Sequence, residues 1–149
     1  MTTKRLSGLI DKKLRAGLLP ALYAAQDEYG WLSPEAINQV SEKLNIDPGQ
    51  VYSTASFYTM FRLKPQGRYR IQVCEGLSCY LVNGADSFLD YITQKLGITN
   101  GEITPDNRFS LEIVQCLAAC DRAPFIVIND ELYGDLTVDA LDQLLNQLP

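Results

Sequence analysis

Along the first sixty-five residues, hydrophobic positions recur at helical spacing. Leu6, Leu9, Ile10 and Leu14 fall on one face of a helix. A second helix is predicted from about Leu18 to Tyr29, stopped by Gly30. Ser33-Pro34 is a third start signal. The serine hydroxyl caps a free backbone N–H, and proline takes the first turn, where its missing N–H costs nothing. Ile37, Val40 and Leu44 form the apolar stripe that follows. Asp47-Pro48 repeats the signal, with Gln50 in capping-box position. The segment from Val51 to Phe61 is too aromatic for a solvated loop and must pack on something.

Beyond Pro65-Gln66-Gly67 the period changes. Tyr69, Ile71 and Val73 alternate with Arg70 and Gln72, which predicts a strand. A helix from about Ala85 to Leu96 offers Phe88, Leu89, Ile92 and Leu96 to a core, and Gly97 closes it. Phe109, Leu111 and Ile113 alternate with Ser110 and Glu112 in a second strand. Phe125 to Ile128 is a short buried strand, turned at Asn129-Asp130 into Leu132-Tyr133. Thr137 caps a last helix with Leu141, Leu144, Leu145 and Leu148 on one face. The order in this half is βαββα. The expectation is an α+β chain with a helical domain over 1–65 and a sheet-containing domain over 66–149. Charge supports the division: residues 1–65 carry net +2 and residues 66–149 net −7.

Composition excludes more than it selects. The total charge is −5, which sets aside nucleic-acid binding. No apolar run approaches the ~20 residues of a membrane-spanning helix. The basic residues Lys4, Arg5, Lys12, Lys13 and Arg15 lack the apolar core of a secretory signal. Asp11 and the scarcity of serine argue against a mitochondrial presequence. A reducing cytosolic setting is therefore expected, where stable disulfides are rare. There is no histidine, so Ser-His-Asp and Cys-His catalysis, histidine metal ligands and a Rieske centre are excluded.

Four cysteines carry the remaining chemistry. A strand, a crossover helix and a second strand make parallel neighbours that end on the same sheet edge. Cys74 follows the first strand and Cys116 the second, with Cys79 and Cys120 further into the same two loops. The pattern is C-x4-C, 36 residues, then C-x3-C. Two disulfides conflict with the compartment. Dithiol catalysis normally uses C-x-x-C, which is absent. Structural zinc takes four cysteines in pairs two to four residues apart, so spacing leaves zinc open. A [2Fe–2S] cluster needs two thiolates on each iron, which two facing pairs supply. The common [4Fe–4S] run, C-x2-C-x2-C, is missing.

Several stretches resemble a known family. They are Gly30 to Ala36, Val51-Tyr52 with Ala55 to Phe61, and Leu63-Lys64-Pro65 with Gly67. Then follow Ile71 to Cys74, Cys79, Cys116 to Cys120 with Ala123-Pro124, and Tyr133 with Asp135-Leu136-Thr137. They resemble the E-subunit family of respiratory complex I, NADH:quinone oxidoreductase, which carries a thioredoxin-like [2Fe–2S] ferredoxin domain. The resemblance runs from about residue 8 to the end. It implies a helical bundle followed by a thioredoxin-like βαββα domain, and Cys74, Cys79, Cys116 and Cys120 as ligands of one [2Fe–2S] cluster. It further implies a partner flavoprotein that binds FMN and NADH, within a larger multi-subunit redox complex. The cluster would take one electron from that flavin, off the main wire of clusters leading to quinone. The complex would sit on the cytoplasmic side, peripheral to the membrane. This chain has no G-x-G-x-x-G after a strand and no phosphate-binding loop, so NADH and FMN are expected on the partner and no catalysis from this chain alone.

Two departures from the family pattern stand out. Ala118 takes the place of a glycine in the middle of the C-x3-C loop, which implies either a tolerable backbone angle or a displaced loop. Tyr80 to Gly84 is about one residue longer than the family form. Near the ligands, Glu75 and Asp121 are expected to keep the potential low, with Arg122 partly offsetting Asp121. Phe57, Tyr58, Met60 and Phe61 form either a docking patch or core. The same module also serves NAD-linked hydrogenases and formate dehydrogenases. A non-redox adaptor with a four-cysteine zinc site is the third alternative.

Overall fold

The computed structural model of the chain describes residues 17–82 and 84–148. The predicted first helix, with Leu6, Leu9, Ile10 and Leu14, lies outside the described residues. The chain folds as two compact units, one ending at Pro65 and the other beginning at Gln66.

The first unit contains α1 (Leu18–Tyr29), α2 (Pro34–Leu44) and α3 (Pro48–Phe57). Their ends follow the capping chemistry. Gly30 closes α1 at φ 77°, and its N–H reaches the Gln26 carbonyl at 2.7 Å. The Ser33 hydroxyl accepts from the Ala36 N–H at 3.2 Å. Asp47 Oδ1 accepts from the N–H groups of Gly49 and Gln50 at 2.9 and 3.3 Å. Leu22, Leu32, Ile37, Val40, Val51 and Phe61 make the buried centre. Gln26 is buried among them with its amide satisfied: Nε2 donates to the Met60 carbonyl and Oε1 accepts from the Arg62 N–H. The aromatic segment divides. Phe61 is core and Tyr58 packs against it, whereas Phe57 is 79% exposed and Met60 lies at the surface.

The second unit contains β1 (Tyr69–Cys74), α4 (Leu77–Leu81), α5 (Gly84–Leu96), β2 (Phe109–Val114), β3 (Ile126–Ile128), β4 (Glu131–Tyr133) and α6 (Val138–Gln147). The strand order is β2-β1-β3-β4. β1 and β2 are parallel, with Tyr69 opposite Phe109 and Cys74 opposite Val114. β3 runs antiparallel to β1, and β4 antiparallel to β3. Relative to the predicted βαββα order, two short elements are added: α4, and a full strand at Glu131–Tyr133. Asn129 and Asp130 turn β3 into β4 with both residues at positive φ, 48° and 74°. That is the two-residue turn whose twist matches flanking strands.

Alternation sorts the sheet faces. Ile71, Val73, Phe109, Leu111, Ile126 and Ile128 pack with Phe88 and Ile92 of α5 and Leu141 and Leu145 of α6. Burial of each large apolar side chain contributes ~1.5–3 kcal/mol. Arg70 and Gln72, the alternate β1 positions, are polar. Arg70 is buried, and its guanidinium reaches Asp130 at 2.9 Å and Glu112 at 3.5 Å. Gln72 donates to the same Glu112 carboxylate at 2.8 Å. Thr137 caps α6 by accepting from the Ala140 N–H. Among the described residues, no helix is long and apolar enough to cross a membrane.

Candidate metal centre

Parallel pairing of β1 and β2 brings both cysteine loops to one sheet edge. Cys74 is the last residue of β1, and Cys116 follows β2 by two residues. The Glu75 N–H donates to the Val114 carbonyl at 2.9 Å, so the two strands remain paired to the point where the loops diverge. Cys79 lies on α4, and Cys120 opens a 3-10 turn, Cys120–Arg122.

The two loops hold their sulfurs differently. Cys74 and Cys79 are buried, with Phe125 and Ala85 around them. Cys116 and Cys120 are exposed. All four are free thiols. Cys74 and Cys79 are within hydrogen-bonding reach of each other, and Cys120 is near enough for its charge to act on Cys79. Burial pushes the Cys79 thiol up to about 11, helped by Cys74 and Cys120, while the Phe125 backbone pulls the other way. Backbone N–H groups point at sulfur in both loops. Gly76 donates to Cys74 Sγ and Ala118 to Cys116 Sγ, each at 3.3 Å. Among the described residues, no three Cys, Asp or Glu side chains close into a group fit for a single metal ion.

Ala118 takes φ 58°, the left-handed region. The loop keeps the backbone angle that glycine adopts freely and carries a Cβ there at a cost of about 1 kcal/mol. Arg122 is not engaged with its neighbour Asp121 as expected. Its Nε donates to Asp135 Oδ2 at 3.2 Å. Glu75 accepts a hydrogen bond from Gln115 at 3.4 Å. The sequence pattern places Phe125 only in a strand core, yet it walls the buried pair. Its position directly after Pro124 and the C-x3-C loop is the available signal.

This donor set fits an iron–sulfur cluster. Thiolates are soft ligands, the two loops supply two each, and N–H donors aimed at sulfur stabilise the anionic cluster. The sequence matches the family described as thioredoxin-like [2Fe-2S] ferredoxin over residues 7–149. The chain belongs to that family. Family membership decides between iron–sulfur and zinc, and the cofactor is one [2Fe–2S] cluster.

Relatives and solved structures agree with this ferredoxin family assignment. The chain is 43% identical over 132 residues to NADH-quinone oxidoreductase subunit 2 of Thermus thermophilus, covering 88% of this chain and 72% of that protein. It is 40% identical over 131 residues to the second E-type subunit of the NADH-quinone oxidoreductase of Rhizobium meliloti, covering 88% and 77%. Its structure resembles a chain of an NAD+-reducing [NiFe]-hydrogenase in the H2-reduced state, with TM-score 0.77 and 26% identity. That likeness covers 89% of this chain and 22% of the hydrogenase chain, so the ferredoxin module spans about a fifth of that protein.

Proposed function

We propose that this chain is the electron-transfer subunit of the NADH dehydrogenase module of an NADH:quinone oxidoreductase, with Cys74, Cys79, Cys116 and Cys120 holding its [2Fe–2S] cluster. One observation carries the ligand assignment: in a member of this family, both thiol pairs leave the same edge of two parallel strands. When bound, the cluster supplies a one-electron store. The chain's own residues supply everything around it. Cys74 and Cys79 anchor one side in the fold's interior, behind Phe125. Cys116 and Cys120 present the other side at the surface, where a partner flavoprotein carrying FMN and NADH would approach. The N–H groups of Gly76 and Ala118 stabilise negative charge on Cys74 and Cys116. Residues 66–149 form the thioredoxin-like cluster domain and residues 1–65 a separate helical domain. The complex works at the cytoplasmic side of the membrane, and this chain is peripheral to it.

The test is an absorption spectrum of anaerobically purified protein, with iron and acid-labile sulfide assays on the same sample. The expected result is visible bands that bleach with dithionite, with iron and sulfide near two each per chain, as a [2Fe–2S] formula requires. Serine variants at each cysteine should lose or alter those bands. A colourless protein with stoichiometric zinc, resistant to reconstitution, would overturn the reading. The hydrogenase likeness supports a second reading, the same subunit in an NAD-linked hydrogenase or formate dehydrogenase. Co-purification decides: quinone reductase activity in the isolated complex supports the first, and hydrogen or formate oxidation the second.

A further inference from the structure

The C-x3-C loop has little burial to hold it. Cys116, Ala118, Cys120, Asp121 and Arg122 are all exposed. What fixes it is a second turn, thirteen residues on. The Asp135 N–H donates to the Arg122 carbonyl at 2.9 Å, and the Leu136 N–H donates to the Pro124 carbonyl at 3.1 Å. Gly134 lies hard against the same arginine. A Cβ placed there would sit 2.7 Å from Arg122 Cβ and 3.0 Å from its carbonyl oxygen, closer than real contacts allow. Only glycine lets the two turns meet. The third attachment is ionic, Arg122 Nε to Asp135 Oδ2 at 3.2 Å. Inside the loop, Arg122 N–H returns to the Ala119 carbonyl and Ala123 N–H to that of Cys120. The attachment at Arg122 therefore passes directly to Cys120.

We infer that the Gly134–Asp135 turn positions the Cys116–Cys120 thiolate pair, and that Asp135 neutralises a cation that would otherwise favour the reduced cluster. Asp135 is a positioning and charge-setting residue acting through Arg122, which stands two residues from Cys120. The inference rests on the ligand assignment above. Both partners of the ion pair are half or more exposed, so a large stability effect is not expected. The potential is the sensitive readout, because a nearby cation selectively stabilises the more negative state of the cluster.

The experiment uses the full-length, cluster-loaded chain and a small set of variants. Asp135→Asn keeps a residue that tolerates the left-handed backbone observed there, φ 54°, and removes only the charge. Its midpoint potential should rise by a roughly threefold change in the reduction equilibrium, ~28 mV at 59 mV per tenfold for one electron. Arg122→Gln combined with Asp135→Asn should abolish that rise, since no cation is left. Gly134→Ala should alter the electron paramagnetic resonance line shape of the reduced protein and speed iron release to a chelator. Glu131→Gln, on the adjoining strand and bonded to Tyr133 rather than to Arg122, should match wild type. Wild-type potential in Asp135→Asn, with a wild-type spectrum in Gly134→Ala, would overturn the inference. Cys120→Ala separates the two layers. Full cluster content in that variant overturns the ligand assignment and this inference together. Cluster loss there, with the turn variants unchanged, overturns the inference alone.

Discussion

The two cysteine loops look alike in sequence and are built on opposite principles. The Cys74–Cys79 loop is held by burial: both sulfurs lie at 1–2% exposure against Phe125 and Ala85. The Cys116–Cys120 loop stands at the surface and is held by backbone hydrogen bonds, one ion pair and a left-handed alanine. Apolar packing is non-directional and strong in sum, so it gives the first loop depth and rigidity. Hydrogen bonds between exposed turns are directional and individually worth ~1 kcal/mol, so they give the second loop geometry with little stability. A carrier that must keep its cluster and also exchange electrons with a partner gains from that division.

The largest effect should come from the buried side. Phe125→Ala removes a fully buried ring and should cost ~3–5 kcal/mol of stability by chemical denaturation. It should also accelerate iron release. Leu117→Ala makes the matching truncation in the exposed loop, where the side chain is only partly buried. Its cost should be clearly smaller. Equal losses in the two variants would show that burial does not distinguish the loops.

Ala118 offers an effect of opposite sign. At φ 58° a glycine is free of the Cβ penalty, although it adds entropy to the unfolded chain. Ala118→Gly should therefore stabilise the protein by a net ~0.5–1 kcal/mol. The Cys116 hydrogen bond should survive, because it comes from the backbone N–H of this residue. Destabilisation would mean that the loop draws its order from the alanine methyl rather than from the turn beneath it.

Much of this arrangement is legible in the chain. Alternation over Tyr69–Val73 and Phe109–Ile113, joined by a helical stretch, is enough to make the strands parallel and put the cysteines on one edge. The capping residues Ser33, Asp47 and Thr137 mark their helices because their side-chain oxygens have one local task. The rest depends on contacts without a local signature. α4 begins at Gly76 with no side-chain cap, so nothing announces it. The clamp on Arg122 consists of main-chain groups and a missing Cβ at Gly134, and in sequence that glycine reads as an ordinary turn residue. Arg122 pairs with Asp135 rather than Asp121 because the second turn folds back onto it, which spacing along the chain does not reveal. The difference in cysteine burial is equally silent, since it is set by Phe125 from a third segment.

The smallest effect tests whether charge far from the loops can mimic any of this. Lys95, at the end of α5 remote from Cys79, meets Asp142 of α6, and Tyr91 hydrogen-bonds the same carboxylate. Lys95 and then Tyr91 hold the Asp142 carboxyl below its ordinary value of 3.8. Asp142 in turn raises the Lys95 ammonium above 10.5. A lowered carboxylate contributes stability above its unfolded pKa and loses it as pH falls through the folded value. A raised ammonium contributes below its unfolded pKa and loses it as pH climbs through the folded value. The clamp is therefore complete between about pH 4 and pH 10 and fades outside that window. Subtracting the stability of Asp142→Asn from that of wild type at each pH isolates it, because the cluster contributes equally to both. The difference should shrink below about pH 4 and in high salt, since these groups are solvated. Iron release and midpoint potential should match wild type throughout. A shifted potential in this variant would mean that the loops respond to any change in helix packing, and the contrast between a buried anchor and a surface clamp would then lose its force.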